Sequence, residues 1–96
     1  MMRLSDDQTE RLLASFADLW GGRAFDEATI AYTAPEQPRL RLALLPLQIR
    51  YRRDGQMRKN EKHRVADWLT DNAGRQAGEL RLVRDRYGWC WVRRAP

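Results

Sequence analysis

With 96 residues, 43% of them hydrophobic and 32% charged, the chain is long enough for one domain around one modest core and too apolar for a disordered segment. No apolar run approaches the roughly 18–20 residues that span a bilayer, and a single cysteine (Cys90) beside a single histidine (His63) excludes an internal disulfide and a zinc-ligand set. The net charge is +5 with a pI near 10.1, and the basic residues are sixteen arginines and two lysines, the side chains that fork onto phosphate or carboxylate.

Ser5-Asp6-Asp7-Gln8 reads as a capping box, with Ser5 as N-cap, Gln8 reaching back and acids in the first turn. Leu12, Leu13, Phe16, Leu19 and Trp20 follow at helical spacing and Gly21-Gly22 stops the run, so a helix is expected over 5–20. Its wide apolar stripe suits packing on a sheet. The segment Met1 to Asp7 lacks the apolar stretch of a signal peptide, and a cytoplasmic location is expected. Residues 23–36 admit two readings. Alternation of Ala28, Ile30 and Tyr32 with Thr29, Ala31 and Thr33 suits a strand, and a short helix over Phe25 to Ala31 is the alternative; Pro35 and Pro38 end either one.

In the next stretch Leu40, Leu42 and Leu44 alternate with Arg39, Arg41 and Ala43, and Leu47, Ile49 and Tyr51 alternate with Gln48, Arg50 and Arg52. Pro46 cannot donate to a ladder, so two strands with a break at Leu45-Pro46, or one long bulged strand, are expected, apolar on one face and arginine-bearing on the other. Asp54-Gly55 marks a turn. Met57, Glu61, Val65, Trp68 and Leu69 return to helical spacing until Asn72-Ala73-Gly74, with Asn60 a candidate N-cap after a basic loop over 55–59. A polar linker over 75–78 leads to a strand opened by Leu80 and Leu82. Asp85-Arg86-Tyr87-Gly88 turns, and Trp89-Cys90-Trp91-Val92 returns as the hairpin partner. The expected fold is a single α+β domain over 1–96. Its order is an N-terminal helix, a two- to three-stranded antiparallel segment, a second helix and a C-terminal β-hairpin, with the helices on one sheet face. Helix, strands, helix, with a basic start to the second helix, resembles the organisation of the double-stranded-RNA-binding domain, without that family's motifs.

Charge is unevenly placed along the chain. Residues 1–36 carry three arginines against seven acids, a balance of −4, and residues 37–96 carry fifteen basic against six acidic residues, a balance of +9. Such asymmetry points to a polyanionic partner for the second part. Three constellations carry it. Arg39, Arg41, Arg50, Arg52 and Arg53 are expected on one strand face, where like charges repel unless an anion neutralises them. Arg58, Lys59, Lys62, His63 and Arg64 surround the start of the second helix, opposing its dipole unless an anion sits there. Arg81, Arg84, Arg86, Arg93 and Arg94 interleave with Tyr87, Trp89 and Trp91 in the hairpin, as in stacking platforms for single strands. Tryptophan is usually largely buried, so Trp89 and Trp91 are expected to pack inward beside Leu80 and Leu82, with the tip arginines exposed.

No catalytic role is expected. Cys90 has no base beside it in sequence, His63 reads as a surface residue, the acids are scattered, and Gly21-Gly22 closes a helix instead of opening a phosphate loop. No cofactor or metal is expected either. The leading reading is a small non-enzymatic protein that contacts DNA or RNA phosphates through Arg39, Arg41, Arg50, Arg52, Arg53, Arg58, Lys59, Lys62, Arg64, Arg81, Arg84 and Arg86, with weak sequence preference. The alternative is a phage or mobile-element protein that seats the same arginines on an acidic protein surface to inhibit or adapt a machine such as a CRISPR-type defence complex. The acidic N-terminal third is also a candidate self-association surface for the basic remainder, as in a homodimer.

Overall fold

The first helix starts where its capping box places it. A computed structural model describes residues 3–93 of the chain. In it α1 spans Asp6–Trp20, Ser5 Oγ accepts from the Gln8 amide at 3.1 Å, and Gln8 Oε1 accepts from the Ser5 amide at 2.9 Å. Leu12, Leu13, Phe16 and Trp20 form its buried stripe. Phe16 is the hub of an aromatic cluster, tilted against Trp20 and Phe25 and edge-to-face with Trp68, with centroids 5.8–5.9 Å apart, while Trp20 stacks on Phe25 at 5.0 Å. Tilted and offset pairs of this kind add about 0.5–1.5 kcal/mol each beyond the area they bury.

Of the two readings for 23–36, the helix is the observed one. α2 covers Glu27–Thr33, and the Asp26 carboxylate caps it, accepting from the Thr29 amide and hydroxyl at 2.8 Å each. A 3-10 turn over Ala34–Glu36 follows, with Pro35 in its first turn, where a missing N–H costs nothing.

The stretch expected as two middle strands is a correction. Pro38–Leu44 is a third helix, α3, and Leu45–Leu47 is a 3-10 turn ending on Gln48 in the left-handed region, φ 56°. Leu40, Ala43, Leu44 and Leu47 are buried, a spacing of three, four and seven, whereas Leu42 is 63% exposed and Leu45 55%. Two-residue alternation would have buried Leu42 with Leu40 and Leu44. Only the short segment around Ile49 to Tyr51 is extended, and it closes on Met57 through an isolated bridge with Tyr51. The resemblance to the organisation of the double-stranded-RNA-binding domain therefore does not hold.

α4 runs over Lys59–Asp71. Its N-cap is Arg58, with no side-chain hydrogen bond, so Asn60 is a helical residue instead of the cap. It ends at Asn72, near the expected stop. The polar linker contributes an unexpected short strand, β1 (Gln76–Ala77), on the edge of a hairpin formed by β2 (Leu80–Asp85) and β3 (Gly88–Arg93). The sheet is antiparallel in the order β1-β2-β3, with Leu82 opposite Trp91 and Arg84 opposite Trp89. Leu82, Trp89 and Trp91 face the core, as expected for the tryptophans; Arg81, Val83, Cys90 and Val92 share the other face. Gly88 has φ 122°, and a Cβ there would lie 2.6 Å from the Phe25 carbonyl oxygen. That close approach lets Phe25 and Trp89 exchange backbone hydrogen bonds of 2.8 and 2.7 Å, tying the sheet to the segment before α2.

α1 packs against α3 and along β1 and β3, and α2 packs against α4, in an α+β arrangement. The body measures 46 × 27 × 22 Å. No helix among the described residues is long and apolar enough to cross a membrane.

Candidate anion-binding surface

Residues 38–64 hold nine cationic side chains and two carboxylates, a balance of +7, so the positive charge is far more local than the sequence halves suggest. α3, the 3-10 turn, the loop 48–58 and the start of α4 are folded against one another by contacts that the arginines themselves make. The Arg41 guanidinium lies over the Tyr51 ring, 4.2 Å from its centroid. Arg64 Nη1 donates to the Leu47 and Gln48 carbonyls at 3.0 Å each, satisfying acceptors that the 3-10 turn leaves open. Arg50 Nε meets Glu61 Oε1 at 3.3 Å. The loop closes on itself through Arg52 N to the Gln56 carbonyl at 2.6 Å and Arg58 N to the Arg50 carbonyl at 3.3 Å. At its tip Asp54 accepts from the Gln56 amide at 3.0 Å and pairs with Arg52 at 3.4 Å.

Thus Arg41, Arg50, Arg52, Arg58 and Arg64 are brought together by direct contacts. Arg39 lies on the same helix as Arg41, Arg53 sits at the loop tip, and Lys59 and Lys62 occupy the first turn and a half of α4. The expected flat arginine face of a sheet is replaced by a curved surface of helix, loop and helix start. Arg64 is half-buried and structural, whereas Arg39, Arg53, Arg58, Lys59 and Lys62 are exposed. Only Glu61 and Asp54 offset them. Glu61 is fully buried, on the apolar stripe of α4 with Val65, Trp68 and Leu69, where the sequence pattern already set it among apolar positions.

The hairpin arginines do not join this surface through any hydrogen bond or ion pair among the described residues. Arg81 is on the outer sheet face. Arg84 lies 5.7 Å from the Trp89 ring centroid, Arg86 lies 5.2 Å from that of Tyr87 at the exposed turn, and Arg93 pairs with Glu79 at 3.1 Å. They are spread over both sheet faces and the turn, and Trp89 and Trp91 are core residues, so no stacking platform of three aromatics forms. Arg94 lies outside the described residues.

Two titrating groups are displaced from their ordinary values. Burial pushes the Tyr51 phenol up, opposed by the Arg41 charge above its ring. Burial also raises the Cys90 thiol, with the Asp85 carboxylate adding to the shift, which disfavours the reactive thiolate. His63 is exposed on α4. Among the described residues no group of three or more His, Cys, Asp or Glu side chains could hold a metal ion. Chemically, the surface is an array of guanidinium and ammonium donors around a helix start whose Lys59 and Asn60 amides have no side-chain cap.

Sequence reasoning missed Leu42 and Leu45, two exposed leucines inside this cationic region. Their signal was present in the run Ala43-Leu44-Leu45, which breaks a two-residue alternation and continues a helical one. No protein-family model, curated protein or solved structure matches the chain.

Proposed function

We propose that the protein is a non-enzymatic binder of nucleic-acid phosphates, acting through the surface made by α3, the loop 48–58 and the start of α4. The observation that carries this reading is the convergence of nine basic residues from 38–64 on one folded unit that holds only Asp54 and a buried Glu61 in return. An exposed array of that density repels itself in the free protein, and a phosphate backbone relieves the repulsion while releasing condensed counterions. Arginine supplies bidentate donors, and the uncapped amides at the start of α4 add N–H groups with the favourable end of the helix dipole. The array offers backbone contacts and no helix aimed at base edges, so weak sequence preference follows.

The test is fluorescence anisotropy of labelled single-stranded DNA, duplex DNA and RNA across a salt series. A linear fall of log affinity with log salt is expected, with a slope of about −0.9 per phosphate neutralised on duplex DNA. The informative variant is Arg53→Glu with Lys62→Glu, because neither side chain makes an ion pair or side-chain hydrogen bond among the described residues. It should weaken binding at least tenfold and flatten the slope. Reversing Arg50 is a poor test, since a carboxylate there would face the buried Glu61. No binding at low salt to any of the three polymers would overturn the reading and assign the surface to an acidic protein partner.

A further inference from the structure

The molecule carries two surfaces of opposite character that no ion pair among the described residues joins. The first is a groove of about 650 Å³ between α1 and the turn joining β1 to β2. Small side chains, Ala14, Ala17 and Ala77, lie along it, and Glu10, Asp18 and Glu79 stand at its edges. Among the described residues Arg93 is the single cation lining it, and Glu79 already engages that side chain at 3.1 Å. The second surface is the outward side of α3. Leu42 on α3 and Leu45 at the start of the 3-10 turn that continues it stand three residues apart, 63% and 55% exposed, with Arg39 and Arg41 beside Leu42 in the chain. Two branched apolar side chains near cations complement a trough of small residues near carboxylates in polarity and in charge.

α1 and α3 pack on each other within the chain, and none of the three ion pairs among the described residues joins the two surfaces. The charge complementarity is therefore left for another molecule. We infer that a second copy of this chain docks its α3, through Leu42 and Leu45, into the groove between α1 and the β1–β2 turn. Each copy presents one groove and one α3, so the contact is heterologous: it grows head to tail or closes into a ring. Its ionic part weakens as salt shortens the screening length to about 8 Å near physiological strength. The inference shares α3 with the proposed nucleic-acid surface but rests on the groove and the exposed leucines, and its test contains no nucleic acid, so the two can fail separately.

That test is sedimentation velocity on the full chain from low to high micromolar concentration, at low and at high salt. At low salt the average mass should rise with concentration above the 11.3 kDa of one chain, and high salt should return it towards one chain. Ala14→Arg fills the trough and places a cation in it, and Leu42→Asp spoils the docking helix. Both positions are exposed, so far-UV circular dichroism and thermal melting should match the parent protein. Each variant alone should sediment as a single chain. An equimolar mixture should form pairs and nothing larger, because one intact groove meets one intact α3. Asp18→Lys and Leu45→Asp are second variants for the same two surfaces, used if either first choice fails to fold. A parent protein that stays a single chain at every concentration overturns the inference and leaves α3 to a different partner. Variants that associate like the parent, or a mixture that grows beyond pairs, overturn it equally.

Discussion

Glu61 has no exposure, and its Oε2 has no hydrogen-bond partner among the described residues, while Oε1 leans on an Arg50 side chain that is 65% exposed. The pair is lopsided: the carboxylate has lost its water and the guanidinium has not. Removing the guanidinium strands a buried charge, whereas removing the charge itself leaves a neutral amide to be accommodated. Arg50→Ala should therefore lower stability by about 1–3 kcal/mol in urea unfolding, towards the smaller figure because solvent screens the exposed partner. In the Glu61→Gln background the same change should cost less than half as much, since the two residues act on one another. Equal costs in the two backgrounds would show that Arg50 acts through packing alone. Glu61 was legible as part of the apolar stripe of α4, but its burial was not. A glutamate on such a stripe is usually a border residue, and only the loop folded over it removes its water.

At the scale of elements, α3 shows where a periodicity argument loses its power. Arginine and leucine alternate over Arg39 to Leu42, and four residues satisfy a period of two and a period of 3.6 nearly as well. Pro38 at the helix start and the buried set Leu40, Ala43, Leu44 and Leu47 decide for the helix. The two arrangements predict different costs. Leu44→Ala should destabilise by about 2–5 kcal/mol as a core truncation, and Leu42→Ala should stay within about 0.5 kcal/mol as a surface change. A strand with Leu40, Leu42 and Leu44 inward would make the two comparable, and thermal unfolding of the pair distinguishes them. α1 was fully legible because its signals are local: the capping box, the stripe and the glycine stop all lie within one helix length. α4 was legible except for its cap. Arg58 sits where serine or aspartate would accept an amide hydrogen bond. Arg58→Ser should raise stability by about 0.5–1 kcal/mol while weakening binding to nucleic acid. A variant that binds as tightly as the parent protein would remove Arg58 from the proposed surface.

For the whole molecule, the decisive feature is how charge is distributed over the body. Glu10 and Asp18 of α1 and Glu79 of the β1–β2 turn line one groove, and the +7 of residues 38–64 gathers on another surface. The hairpin arginines are spread over the two sheet faces and the turn. Reversing Arg84 and Arg86 together should therefore weaken nucleic-acid binding less than reversing Arg53 and Lys62, by at least a factor of three in Kd measured at one salt concentration. The opposite ranking would move the contact surface to the hairpin.

The sequence by itself determined the α+β class, the first helix with its cap, the body of α4 and the C-terminal hairpin with its inward tryptophans. In each of these the periodicity runs long enough, or the cap and turn chemistry is specific enough, to exclude the alternatives. Only the tertiary structure decided that residues 38–44 are helical, that Leu42 and Leu45 are left outside and that Glu61 is inside. Those outcomes depend on which face of a short, doubly periodic segment meets the rest of the core, and seven residues do not encode that choice alone. The clustering of the arginines follows from the same choice, because the turn after α3 brings the loop 48–58 back against the start of α4.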